Sequence, residues 1–176
     1  MGLVDDLEYR SSPPSIAQRV LISLAGTRPG SAMLAKTMAR TDRLTLRITG
    51  GRHTLSAWLA GQPVIWLTVK GRRSGKSRRV PLTGIPLDGD LAVIGSYFGS
   101  DEHPAWALNL EANPEVEVTF EDRTVEATAR RASSHEASDI WAAATIIYAG
   151  YARYRRRVDR EIKVFVLEPR RLPSTE

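Results

Sequence analysis

The chain has 176 residues, 42% hydrophobic and 26% charged, with no cysteine and a formal net charge of +5. This is the balance of a globular domain large enough for a real core, and it excludes disulfide and thiolate chemistry while remaining compatible with a reducing cytoplasm. The positive excess suits an anionic partner: nucleic acid, an anionic membrane surface or an anionic small molecule.

The opening "MGLVDDLEYR" is acidic, unlike a signal peptide, and Asp6 stands where a myristoylation signal has Ser or Thr. From Ser15 to about Ile48 the pattern is helical. Pro13 and Pro14 offer a start, Ile16, Val20, Ile22 and Leu24 an imperfect apolar stripe, and Gly26 a stop. Met33, Leu34, Met38, Leu44, Leu46 and Ile48 continue it to Gly50 and Gly51. These helices either pack on the core or, through Arg19, Arg28, Lys36, Arg40, Arg43 and Arg47, touch a membrane surface. No apolar run approaches the roughly 20 residues of a spanning helix.

From Pro63 the pattern changes to strands. "PVIWLTV" is continuously apolar, as in a strand buried on both faces. "RRVPLTGIPL" and "DLAVIGS" flank the hairpin signal "DGD", "EVEVTF" and "RTVEATARR" alternate with period two, and "IKVFVLEP" closes the set. Val116, Val118, Val125, Ala127 and Ala129 are placed inward. "HPAWALNLEANP" predicts a short helix with Pro104 in its first turn, ended by Asn113-Pro114. "SSHEASDIWAAATIIYAGY" predicts a longer one capped by Ser133 or Ser134. Six short strands with two helices between them predict an α+β domain built on a barrel-like antiparallel sheet, not a Rossmann alternation. The chain divides into a helical extension over 1–55 and a sheet domain over 56–176.

Chemistry is concentrated in two stretches. Lys70, Arg72, Arg73, Lys76, Arg78 and Arg79 crowd one connection between strands, with Gly71 and Gly75 allowing tight turns. Arginine forks suit phosphate or carboxylate, and the alternative is a solvated loop. The run lacks the Gly-Lys-Ser/Thr end of a P-loop, and it lacks the aromatics expected for base stacking, so nucleic acid is not the expected partner. In "YAGYARYRRR", Tyr148, Tyr151 and Tyr154 recur every three residues and would share a helix face. They either pack as core or line an apolar pocket. His53, His103 and His135 are not at metal-ligand spacing, so no metal site is expected, and no G-x-S-x-G elbow is present.

Four ordered motifs, "GRRSGKSRRVPL", "VIGSYFGSDEHPAWALNLEANPEVEV", "YAGYARY" and "REIKVFVLEP", resemble the deazaflavin-dependent nitroreductase family from about Ser56 to Pro169. The resemblance implies a six-stranded antiparallel split β-barrel of the FMN-binding type with flanking helices. It implies coenzyme F420, with FMN as the alternative, and hydride transfer to a small-molecule acceptor: a quinone, an enone or a nitroaromatic. F420 carries a phosphodiester and an oligoglutamate tail, which identifies the anion for the basic run. By this resemblance Arg72, Arg73, Ser74, Gly75 and Arg78 contact the phosphate and tail. Pro81 lies beside the ring, Ser96, Tyr97 and Phe98 at its edge, and Trp106 and Asn109 complete the pocket. Ser96, Tyr148, Tyr151 and Tyr154 are the candidates for hydrogen bonding the substrate. Tyr97 departs from the best-known branch, which has Lys after the Ser of the second motif. A monomer or homodimer in the cytoplasm is expected, with membrane association if the N-terminal helices touch lipid. A split barrel that binds FMN or a fatty-acid-like ligand without F420 turnover, and an anionic membrane-surface adaptor, are the alternative functions.

Overall fold

A computed structural model describes residues 2–10 and 64–170. The helices expected over 15–48, their cations, His53 and the boundary at 55/56 lie outside the described residues.

The described residues form one seven-stranded antiparallel sheet. Its strands are β1 (Val64–Lys70), β2 (Ser77–Thr83), β3 (Ile85–Leu87), β4 (Asp90–Ile94), β5 (Glu115–Phe120), β6 (Arg123–Arg131) and β7 (Val164–Pro169). The spatial order is β2-β1-β5-β6-β7-β4-β3. Helices α1 (Leu3–Asp6), α2 (Ala105–Ala112), α3 (Ser134–Ile147) and α4 (Gly150–Arg157) pack against it.

The strand count corrects the expected six. The run expected as one strand, "RRVPLTGIPL", is interrupted at Gly84 and serves both edges of the sheet. Before Gly84 it pairs with β1, from Lys70↔Ser77 to Val64↔Thr83. After Gly84 it pairs with β4, from Ile85↔Ala92 to Leu87↔Asp90. The sheet therefore curls until its two edges meet at one residue. Gly84 permits this because Tyr9 occupies the space above it. A Cβ there would lie 2.9 Å from the Tyr9 Oη and 3.3 Å from Ile65 Cγ2. The Tyr9 hydroxyl donates to the Gly84 carbonyl at 2.6 Å, satisfying a buried acceptor at the break in the ladder. The expected "DGD" hairpin is present, with Asp88 (φ 47°) and Gly89 (φ 92°) both left-handed, as its two-residue loop requires.

Strand alternation builds two cores. Ile65, Leu67, Val69, Leu91, Val93, Val116, Val118, Ala127, Ala129, Phe165 and Leu167 point to the concave side and enclose Leu3, Leu7 and Tyr9. On the other face, Ala92, Ile94, Val164 and Val166 pack with Ile85 beneath Ile140, Trp141 and Ala144 of α3 and Tyr151 and Tyr154 of α4. Strands β4 and β7 are thus buried on both faces. Helix α3 starts at a capping box in which Ser133 and Glu136 satisfy each other's backbone N–H groups. Arg130 ties this helix end to the sheet by bonding both Glu136 and Glu168.

The segment around α1 is integral to the sheet. Leu3, Leu7 and Tyr9 are buried, Val4 donates to the Gly89 carbonyl at 2.8 Å, and Arg123 pairs with Glu8. A chain shortened to Ser56, which the strand positions alone would allow, loses all of these contacts. Tyr9→Phe is expected to lower stability by about 1–3 kcal/mol, because it leaves the Gly84 carbonyl unpaired. A urea unfolding midpoint equal to the wild type would show that the hydroxyl does not hold the break.

Candidate active site

The basic run forms the β1–β2 connection. Gly75 N–H donates to Gly71 O at 2.8 Å and Gly71 N–H to Lys76 O at 3.0 Å, closing a tight loop with Gly75 at φ 64°. Helix α2 holds this loop in place. The buried Asn109 side chain accepts from the Arg72 N–H at 3.1 Å, and Asn113 Nδ2 donates to Lys70 O at 3.3 Å. Residues Arg72 to Arg79 are exposed. Among the described residues, none of Arg72, Arg73, Lys76 and Arg78 has a carboxylate partner, whereas Arg123, Arg130, Arg131, Lys163 and Arg170 all have one. The fold therefore concentrates uncompensated positive charge at one end of β2.

Strand β2 leads away from that charge. Pro81 lies opposite Trp66, and the Arg79 guanidinium stacks 4.7 Å from the Trp66 ring, so Arg79, Pro81 and Thr83 share a face. From Arg79 to Thr83 this face runs about 13 Å, at roughly 3.3 Å per residue. It ends at the tyrosines, where the Tyr151 hydroxyl hydrogen-bonds the Thr83 side chain.

The tyrosines do not sit on one continuous helix. The long helix expected through "IIYAGY" breaks at Tyr148, which is extended (φ −148°, ψ 106°). The Tyr148 ring folds back over Gly150, where a Cβ would overlap it. The break gathers all three rings, with centroids 5.6–6.3 Å apart. Tyr148 and Tyr154 share a hydrogen bond of 2.8 Å between hydroxyls. Tyr151 and Tyr154 are buried and Tyr148 is half-buried, so Tyr148 is the outermost member. Burial pushes the Tyr151 phenol up to about 12, and burial with Tyr148 alongside raises that of Tyr154. Tyr9 is raised by burial and, secondarily, by Tyr151.

A strained turn meets this cluster. Tyr97 (φ 47°) and Phe98 (φ 56°) are both left-handed within the single 3-10 turn Tyr97–Gly99. Each such residue costs about 1–2 kcal/mol. Both side chains are exposed large hydrophobics, at 47% and 41%. Phe98 lies edge-on to Tyr154 at 6.2 Å. Ser96, just before the turn, is 7% exposed, and its hydroxyl has no hydrogen-bond partner among the described residues.

The structure thus brings Ser96, Tyr97, Phe98, Tyr148, Tyr151 and Tyr154 together at one end of the β2 face, and Arg72, Arg73, Ser74, Gly75 and Arg78 at the other, with Pro81 between. Asn109 belongs to the support of the basic loop. Trp106, half-buried, packs on the core 6.2 Å from Phe165. Sequence reasoning assigned no role to Tyr9, Thr83 or Arg160, whose contacts are with residues distant in the chain. A cavity of about 390 Å³ lies elsewhere, between α3, α4 and the approach to β7, and contains none of the expected residues. Among the described residues no helix is long and apolar enough to cross a membrane, and no three His, Asp or Glu side chains are grouped to hold a metal ion.

The profile of the F420H(2)-dependent quinone reductase family matches residues 37–169. The chain belongs to this family. The reductase is 30% identical over 112 residues to the F420H(2)-dependent quinone reductase Rv1261c of Mycobacterium tuberculosis (strain ATCC 25618 / H37Rv), covering 61% of this chain and 74% of that protein. The solved structure of an F420-H2 dependent reductase, FDR-A, shares 37% identity, covers 60% of this chain and 94% of that one, and superposes with a TM-score of 0.56. A structure described as a domain-swapped dimer shares 35% identity over 72% of this chain and 95% of its own, with a TM-score of 0.58. The protein is an F420-dependent reductase. Its donor set fits that coenzyme: unpaired cations suit the phosphate and carboxylates, an exposed aromatic turn suits the ring, and the Ser96 hydroxyl is a buried polar group in want of a partner.

Two outcomes are expected. Asn109→Ala removes no charge but frees the Arg72 N–H, and should weaken F420 binding about 2–10-fold, the worth of one neutral hydrogen bond. An unchanged affinity in a fluorescence titration would show that the loop needs no such support. The second concerns pH. Tyr9, Tyr151 and Tyr154 have folded-state pKa values above the unfolded value near 10, so the stability they contribute is complete below pH 10 and lost as pH rises through the raised values. Urea midpoints should fall above pH 10, with part of the tyrosinate absorbance appearing only on unfolding. Titration of all five tyrosines near pH 10 in the folded protein would contradict this.

Proposed function

We propose that the reductase holds F420 along the β2 face and delivers its hydride to a quinone at the tyrosine end. The observation that carries this is the polarity of that face. Unpaired cations lie at one end and an exposed aromatic turn with buried phenols at the other, separated by a strand length suited to a coenzyme with an anionic tail and a planar ring. Arg72, Arg73 and Arg78 grip the phosphate and tail through charge-assisted hydrogen bonds, with the loop at Ser74 and Gly75 shaped to approach them. Pro81 lies beside the ring, and Tyr97 and Phe98 cover its edge. The bound coenzyme supplies a hydride and so sets a two-electron reduction. The chain's share is positioning, exclusion of water and hydrogen bonding at the acceptor oxygen.

Tyr148 is the phenol placed for that last task. It is the outermost of the three, and its 2.8 Å bond to Tyr154 gives it a second phenol to share a proton with. Tyr151 and Tyr154 are protonated at neutral pH, and burial raises their pKa values further, so they act as neutral donors. Ser96 offers the other buried hydroxyl to ligand. Quinones are favoured over enones and nitroaromatics by the family match. The curled sheet supports the split β-barrel class, and the relative described as a domain-swapped dimer supports a homodimer.

Replacing Arg72 and Arg73 together by Ala should lower F420 affinity at least on the order of a hundredfold, since each charge-assisted bond contributes roughly 1.5–3 kcal/mol and exposure places these two at the lower end. Replacing Arg123 and Arg170 lowers net charge equally at residues off the proposed track and should change little. Equal weakening by both pairs would reduce the basic run to part of a general positive field.

A further inference from the structure

The motif "REIKVFVLEP" begins with a residue that the proposed chemistry leaves unused, Arg160. Its guanidinium donates from Nη2 to the carbonyls of Gly95 at 3.2 Å and Ser96 at 3.1 Å, and from Nε to the carbonyl of Ser100 at 2.9 Å. Its Nη1 meets His103 Nδ1 at 3.2 Å. One side chain thus grips both ends of the segment that contains the left-handed Tyr97 and Phe98. The grip reaches across about sixty positions of sequence, and Arg157 adds a bond to the Phe98 carbonyl at 3.3 Å. Strained backbone of this kind persists only where its surroundings over-determine it, and it concentrates at ligand clamps. Arg160 also borders the 390 Å³ cavity with Arg131 and Arg155. That lining is not a free anion site, because Arg131 is committed to Glu111 and Glu161, and Arg160 to the carbonyls.

We propose that Arg160 is a positioning residue of the reductase, clamping residues 95–103 so that Ser96, Tyr97 and Phe98 are presented to the coenzyme ring. The inference rests on the reading of that turn as the ring edge. The role needs the guanidinium and not merely a positive charge. Three carbonyls and an imidazole nitrogen lie around one planar fork, whereas a lysine offers a single ammonium point.

The test compares Arg160→Lys, which keeps charge and most of the stem, with Arg160→Ala. Without coenzyme, chymotrypsin cleavage after Tyr97 or Phe98, followed by fragment mass, reads whether the turn stays closed. Both variants should be cut there at least tenfold faster than wild type, with cleavage at the buried Phe120, Trp141 and Tyr151 unchanged. In turnover, kcat should fall at least tenfold, while F420 affinity falls by less than kcat because the basic loop is untouched. Low-millimolar guanidinium should restore part of the rate to Arg160→Ala. Unchanged cleavage at the turn overturns the clamp. Faster cleavage at every site in both variants also overturns it, making Arg160 a general structural residue. Faster cleavage at the turn with an unaltered kcat sinks the ring-edge reading of Ser96–Phe98, and with it the positioning role, while the clamp stands.

Discussion

The join between β2 and β3 is the constraint on which the rest of the structure depends. An antiparallel sheet of seven strands has two edges, and here a single residue, Gly84, connects them. Nothing in the strand ladders holds that point, because β2 bonds only to β1 and β3 only to β4. Side chains hold it instead. Tyr9 caps the Gly84 carbonyl from one side, and Tyr151 reaches the neighbouring Thr83 from the other. Removing the Tyr9 hydroxyl leaves the buried Gly84 carbonyl without its side-chain partner.

That join also positions the active site. The strand that carries the basic loop at its start delivers its far end to the tyrosines, so the cationic loop and the phenol cluster are fixed by one rigid element. Loops set the details. Asn109 fastens the basic turn to α2, and Arg160 fastens the aromatic turn to the approach to β7. Both loops are thereby held by side chains that need not touch the coenzyme. Precision at a site is usually obtained this way, with supporting groups locking the residues that meet the ligand.

Much of this was legible in the chain itself. Period-two alternation placed Val116, Val118, Ala127 and Ala129 in the core, "DGD" marked its hairpin, and the Ser133 cap marked the start of α3. These signals are local, set by neighbours two to four positions away. What escaped was non-local. The break at Gly84 follows from which partners each half finds, and propensity does not encode that. The kink at Tyr148 follows from a ring folding over Gly150, in a run whose composition is otherwise helical. Arg160 and Asn109 act on backbone groups 37 to 65 positions away, so spacing gives no hint of them. The tyrosines were read as either core or pocket, and the structure divides the roles, with two rings buried and the third at their outer side.

The placement of α1 has a consequence for how the chain folds. Leu3, Leu7 and Tyr9 share a core with Phe165 and Leu167, so residues 3–9 pack against β7. Closing a loop of that span costs entropy before any contact repays it. During synthesis these apolar side chains leave the ribosome long before β7 and complete their burial only when β7 has emerged. The concave core therefore cannot close before β7 has been made. Until β7 emerges, the nascent sheet carries an uncovered apolar face and two unjoined edges, the features that make partly folded β proteins prone to aggregate and dependent on chaperones.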